Sequence, residues 1–83
     1  MILYIITPTL SIEHHIAWLD INTSTGSLII HQGHAPAVFP ITPYSQLVFK
    51  LKTGKEQMIT VLHGVVHVTR DSIEAIISPR DPQ

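Results

Sequence analysis

Histidine has the widest chemical range of any side chain in this sequence, and it occurs six times in 83 residues. Its imidazole ring can bind zinc or exchange protons near neutral pH. The histidines fall into three close pairs, which are His14 and His15, His31 and His34, and His63 and His67. A structural zinc ion needs four ligands in a tetrahedral array, and the chain has no cysteine to help complete such a set. We therefore interpret the histidines as surface or interface residues and predict no metal site, with histidine-bound metal as the alternative.

The remaining polar residues do not suggest catalysis. A hydrolase needs a nucleophile beside a base that a third group orients, and none of the serines has such a context. No paired carboxylates stand out, and the four glycines are isolated, so no glycine-rich phosphate loop is present. We predict that the protein is not an enzyme and uses no cofactor.

The charge of the chain indicates which kinds of binding partner are expected. The net charge is −1, and charged residues make up 13% of the chain, about half the usual share of ~25%. The lysines and arginines are scattered, so a nucleic-acid partner is not expected. The low charge favours contact with a partner, with a merely polar, uncharged surface as the alternative. The run Met1–Ile6 is predicted as a first strand rather than a signal peptide, and the protein is expected to be soluble and intracellular.

Short segments of turn-forming residues recur along the chain and separate runs that are rich in β-branched residues. This rhythm predicts an all-β fold, a small two-sheet antiparallel β-sandwich of about eight to ten short strands. We expect one domain over residues 1–79 and a loose C-terminal tail over residues 80–83.

The clearest strand pair lies in the second half of the chain. Residues 46–52 alternate between apolar and polar side chains, and residues 57–62 return after the turn at Gly54. Residues 37–41 contain Pro40, which cannot donate a backbone hydrogen bond, so this piece is predicted at a sheet edge or a bend.

Two single residues have structural interpretations of their own. Gly64 is predicted to break a strand, so that residues 65–69 form a separate strand and His63 and His67 lie on different segments. Trp18 is interpreted as core or semi-buried packing, with a binding hot spot as the alternative.

One segment is not explained by periodicity. Gly33-His34-Ala35-Pro36, preceded by residues 26–30, resembles the Gly-x-Leu-Gly-Ile-x-Pro-Gly-His-Ala-Pro segment of F-type ATP synthase epsilon subunits. Residues 3–8 resemble the opening strand of that family, and residues 64–68 resemble its Gly-Gly-x-x-Glu-Val strand. Residues 72–77 resemble its last sandwich strand. The resemblance covers nearly the whole chain, and Gly-His-Ala-Pro is its most specific part.

The sequence also departs from the family pattern. The departures replace turn glycines, a proline and acidic residues, and they lie at Thr23, Ile29, Gln32, His63, His67 and Ser78. Family members continue into a C-terminal helical hairpin, whereas this sequence stops at Gln83. Autoinhibition and ATP binding by that hairpin are therefore not carried over, and the sequence leaves open whether the chain is naturally short or a fragment.

The resemblance implies a non-catalytic rotor subunit that links the gamma subunit to the c-ring and couples proton transport to ATP synthesis. Such a subunit lies on the cytoplasmic side of the membrane and touches the membrane only through the complex. The competing class is a free-standing small β-sandwich binding module, which could use its histidines for metal.

Individual residues are carried over by position from the family motifs. The residues that match gamma-facing positions are Thr7, His34, Ala35 and Phe39. The residues that match the c-ring end are Ser27 and Leu28, and the structural turn residues are Gly26, Gly33, Pro36 and Gly64. The alternatives are that His34 is a turn histidine bonded to neighbouring backbone and that Phe39 belongs to the core.

Overall fold

The computed structural model describes residues 1–79, which contain seven strands. The strands are β1 (Ile2–Ile6), β2 (Ser11–Thr23), β3 (Gly26–His31), β4 (Ala37–Ile41), β5 (Ser45–Leu51), β6 (Glu56–Val68) and β7 (Ser72–Pro79). The all-β prediction is confirmed, and the strand number is close to the one predicted. The predicted tail at residues 80–83 lies outside the described residues.

The strands form a flattened ring with two additional strands. β1, β7, β6, β5 and β2 pair in that order, and β1 also pairs with β2, which closes the ring. β3 is added to β2, and β4 is added to β6. All pairs are antiparallel except β1 with β7, which is parallel and departs from the antiparallel prediction. These two strands are far apart in the sequence, so no local pattern reports how they pair.

One layer of the sandwich consists of β4, the C-terminal part of β6, β7 and β1, and the other of β3, the C-terminal part of β2, β5 and the N-terminal part of β6. The two longest strands join these layers. β2 and β6 have 13 residues each. The C-terminal part of β6 pairs with β4 and β7, whereas its N-terminal part pairs with β5. The register shifts between Ile16 and Trp18 in β2 and between Val61 and His63 in β6. Such irregularities bend a strand, so they let each long strand pass from one layer to the other.

The core lies between the layers, and within residues 1–79 it contains only apolar side chains. Every second residue of each strand points inward, so both layers contribute to it. The largest fully buried side chains are Phe49, Leu3, Ile16, Leu19, Ile21, Ile30, Leu47, Ile73, Val61, Val66 and Val68. Fully burying a side chain of this size contributes roughly 1.5–3 kcal/mol. The alternation that the sequence shows over residues 46–52 agrees with this core, since Leu47 and Phe49 are both buried.

The prediction that Gly64 breaks a strand is wrong. β6 runs through Gly64 without interruption, so His63 and His67 lie on one strand. A Cβ atom at Gly64 would lie 2.7 Å from Cγ2 of Ile77 and 2.8 Å from the carbonyl oxygen of Ile76. The glycine is therefore required by the close approach of β7 and not by a turn.

Two other residues show how strand position follows from pairing. Trp18 is half-buried on the outer side of its layer, because its neighbour Leu19 is fully buried and successive side chains alternate. The tryptophan is therefore semi-buried and does not lie fully within the core. Pro40 lies in β4, which within the described residues pairs only with β6, so the predicted edge position is confirmed.

Candidate interaction surfaces

The Gly33–Pro36 loop is held by its own histidine. Gly33 has a φ of +86°, and the amide of His34 donates to the carbonyl of His31 at 3.2 Å. Nδ1 of His34 lies 2.7 Å from the carbonyl oxygen of Ala35. A carbonyl can only accept, so Nδ1 is the donor in this contact. The structure therefore gives His34 a turn-stabilising contact, alongside any role at an interface.

Phe39 lies against this histidine. The two ring centroids are 6.0 Å apart with an interplanar angle of 71°, an edge-to-face arrangement. Phe39 is half-buried and packs against the core, whereas its neighbour Val38 is 60% exposed on the outer side of β4. Ala35 is exposed beside them. The structure thus brings together three of the four predicted gamma-facing residues, with Phe39 oriented inward.

Thr7 lies at the opposite corner of the same layer. It follows β1, and its amide donates to the carbonyl of Leu10 at 2.8 Å. Its Oγ1 accepts a hydrogen bond from the amide of Leu10 at 3.2 Å. β1 is separated from β4 by β7 and β6, and Thr7 follows the end of β1 that aligns with Pro40. Thr7 and the His34 loop are therefore diagonally opposed.

The surface between these corners is largely apolar. We call it the β4–β1 face, and it consists of the outward side chains Val38, Pro40, Val65, His67, Glu74, Ile76, Tyr4 and Ile6. One ladder row across it is apolar in all four strands, and that row is Pro40, Val65, Ile76 and Ile6. Ile76 is 47% exposed. An uncharged row of this kind is typical of the centre of a protein–protein interface.

A hollow deepens this face above Gly64. It has a volume of about 370 Å³, and its rim includes Ile6, Thr7, Val65 and Ile76. Gly64 and the neighbouring His63 of β6 line the hollow as well. Thr7 therefore adjoins the β4–β1 face directly.

The residues predicted for the c-ring end lie at the start of β3. Ser27 is exposed and pairs with Asn22, whereas Leu28 is half-buried against the core, because the two side chains point to opposite sides. The preceding turn uses Gly26 at a φ of +121°. Oγ1 of Thr23 donates to the carbonyl of Gly26 at 2.9 Å and so fixes this turn. Of the two side chains, only that of Ser27 is fully on the outside.

The histidines are dispersed over the surface. His67 Nδ1 lies 3.2 Å from Oε1 of Glu74, and His15 Nε2 lies 3.5 Å from Oε2 of Glu13, with all four side chains well exposed. Within residues 1–79, no group of three or more histidine, cysteine, aspartate or glutamate side chains converges on a point. Each of these pairs could therefore supply a metal ion with two ligands and no third.

Sequence reasoning did not find the β4–β1 face. The apolar row comes from four strands that are distant in the sequence, so only their pairing creates it. A weak signal existed in Val65-Val66 and Ile76-Ile77, because adjacent apolar residues in a strand place one of the two on the outside.

These observations define a class of protein, a small β-sandwich domain with an apolar outer face suited to binding another protein. The family described as ATP synthase, Delta/Epsilon chain, beta-sandwich domain matches residues 1–78. The chain belongs to this family.

Two solved structures are similar to the chain in fold. One is from the mitochondrial ATP synthase of Euglena gracilis (OSCP/F1/c-ring), with a TM-score of 0.85, 21% identity, and coverage of 95% of this chain and 52% of that chain. The other is from the central stalk/c-ring of the mitochondrial ATP synthase of Tetrahymena thermophila, with a TM-score of 0.78, 18% identity, and coverage of 93% and 62%. The chain therefore spans roughly half to three fifths of their length. Among curated proteins, none matches significantly. Residues 1–79 contain no helix that could span a bilayer.

Proposed function

We propose that this chain is the β-sandwich part of a central-stalk subunit of an F-type ATP synthase. In this role it links the gamma subunit to the c-ring and couples proton transport to ATP synthesis, without a catalytic step of its own. The family match over residues 1–78 is the observation that carries the proposal. The apolar β4–β1 face, with Thr7 and the His34 loop at its corners, supports it further.

The strand pairing and the core of the sandwich make it resistant to deformation, which is what transmission of force requires. β2 pairs with β1, β5 and β3, and β6 pairs with β4, β5 and β7. Because both strands belong to both layers, one layer cannot slide over the other without breaking ladder hydrogen bonds. The close-packed apolar core resists compression as well. A load on one face is therefore passed to the opposite end with little deformation, as coupling requires.

In this proposal the gamma subunit binds the β4–β1 face. Val65 and Ile76 lie on its two middle strands and would be buried by a partner, whereas Thr7, His34 and Ala35 form the rim. Binding energy is concentrated in such a desolvated centre, and rim residues contribute mainly specificity. The domain then contacts the membrane only through the complex, on the cytoplasmic side.

Calorimetry with the gamma subunit from the same source tests this placement. The unmodified chain is expected to bind with micromolar affinity or better, about −8 kcal/mol. Ile76→Glu should weaken binding at least tenfold, because it buries an unpaired carboxylate. Met58→Glu is the matched control, since Met58 is 60% exposed on the part of β6 that pairs with β5, away from this face. Equal affinities of all three proteins, each shown to be folded, would contradict the proposal.

A further inference from the structure

Tyr44 has an unusual backbone conformation. Its φ is +59°, and among residues 1–79 it is the only residue other than glycine with a positive φ. Tyr44 follows Pro43 in the turn between β4 and β5. Proline followed by a residue with positive φ is the arrangement of a type II turn, in which the second position normally takes glycine or asparagine. A bulky residue in this position is strained, and such strain clusters at functional sites.

The fold holds the backbone of Tyr44 but does not use its side chain. The amide donates to the carbonyl of Leu62 at 3.2 Å, and the hydroxyl of Ser45 donates to the carbonyl of Thr42. The side chain of Tyr44 is 76% exposed. Among the side-chain hydrogen bonds of residues 1–79, none involves its hydroxyl. The aromatic ring at this strained position is therefore exposed and gains little packing against the rest of the fold.

This ring lies at the end of the sandwich that carries Ser27. The amide of Thr42 donates to the carbonyl of Asn22 at 2.8 Å, and Asn22 pairs with Ser27 in the ladder. Ser24 and Pro43 line a common hollow of about 280 Å³. The two turns thus form one continuous surface. We call it the turn-end surface, consisting of residues 24–27 and 42–44.

The chemistry of the turn-end surface is uniform. Around the tyrosine its side chains are hydroxyls, and they belong to Ser24, Thr25, Ser27 and Thr42. It contains no charged residue. Such a surface fits a partner with polar, uncharged loops whose carbonyl groups accept hydrogen bonds. A tyrosine suits this contact, because it combines apolar area with a hydroxyl donor and loses little conformational entropy when bound.

We propose that Tyr44 is the anchor by which the turn-end surface binds the polar loops of the c-ring. This inference rests on the proposed function and adds a specific contact to it. The c-ring is chosen because the turn-end surface includes Ser27, at the opposite end of β4 from the His34 loop and beyond the β4–β1 face.

The test uses two variants that keep the backbone conformation. Glycine and asparagine both adopt positive φ, so Tyr44→Gly and Tyr44→Asn remove the ring and preserve the turn. Purified c-ring from the same source is immobilised in detergent, and binding of the chain in complex with its gamma subunit is measured. We expect both variants to bind the c-ring at least tenfold more weakly than the unmodified chain. The affinity for gamma alone should change by less than twofold.

The outcomes separate this inference from the proposed function. If both variants bind the c-ring as tightly as the unmodified chain, Tyr44 is not the anchor, while the rotor role stands. If the variants lose affinity for gamma alone, the ring belongs to the gamma contact and the c-ring assignment is overturned. If the unmodified chain binds neither partner, the proposed function fails, and this inference fails with it.

Discussion

Two loops of this domain each contain one residue with a positive φ, but the residue is the smallest type in one loop and a bulky aromatic in the other. The Gly33–Pro36 loop uses glycine at a φ of +86°, whereas the Pro43-Tyr44 turn uses tyrosine at +59°. A Cβ atom on Gly33 would meet nothing within 4 Å. Glycine is therefore required there by the positive φ and not by crowding. The comparison teaches that a turn that serves the fold takes glycine. A turn that keeps a bulky aromatic ring in the same conformation serves a contact outside the fold.

Gly64 adds a third case to this comparison, because glycine is required there by the lack of room for a side chain. Gly64→Ala would drive the new methyl group into Ile77 and the carbonyl oxygen of Ile76, at 2.7 and 2.8 Å. Since backbone atoms cannot move aside easily, we expect a loss of roughly 2–3 kcal/mol in the free energy of unfolding. Urea denaturation followed by circular dichroism measures this loss. A loss below about 1 kcal/mol would show that β6 and β7 can separate at low cost.

Gly33→Ala should have a smaller effect. Its Cβ has free space, so only the backbone angle opposes it, and we expect a loss of about 1 kcal/mol in the free energy of unfolding. The same denaturation experiment measures the loss, with Ala35→Ser on the exposed part of this loop as the control. If stability is unchanged, the fold does not require a positive φ at Gly33, and the comparison with Tyr44 no longer supports a role for the tyrosine ring outside the fold.

Tyr44→Gly should have the smallest effect, and it should have the opposite sign. Relief of the strained angle stabilises the fold, and the greater freedom of glycine in the unfolded chain offsets part of that gain. We expect the free energy of unfolding to rise by up to about 1 kcal/mol. Thermal denaturation of the isolated domain measures the change. A loss of more than about 1 kcal/mol would mean that the tyrosine ring supports the fold and is not kept for a partner.

The fold was largely predictable from alternation, because inward faces such as Leu47 and Phe49 follow a period of two. The depth of Trp18 was left between core and semi-buried, because a shift of one residue moves a side chain from core to surface, and the register of Trp18 depends on distant partners. The role of Gly64 was missed for a similar reason. A glycine that permits close packing looks the same in a sequence as one that ends a strand.

The candidate surfaces were predictable only in part. The Gly33–Pro36 segment was found by resemblance, and its loop does form a distinct, internally bonded unit. The β4–β1 face was not found, because strands from both ends of the chain build it and the parallel pairing of β1 with β7 is non-local. Tyr44 was also missed, since a backbone angle cannot be read from one residue type.

The central claim is that the gamma subunit covers the β4–β1 face, and thiol labelling tests it most directly. The natural chain has no cysteine, so Ile76→Cys and Met58→Cys each place a single reactive thiol on an exposed position, 47% and 60% exposed in the parent side chains. The rate of maleimide labelling is measured with and without saturating gamma subunit. We expect labelling of Ile76→Cys to slow at least tenfold and labelling of Met58→Cys to remain unchanged. Unchanged labelling of Ile76→Cys in a complex shown to form, or protection of Met58→Cys instead, would contradict the account.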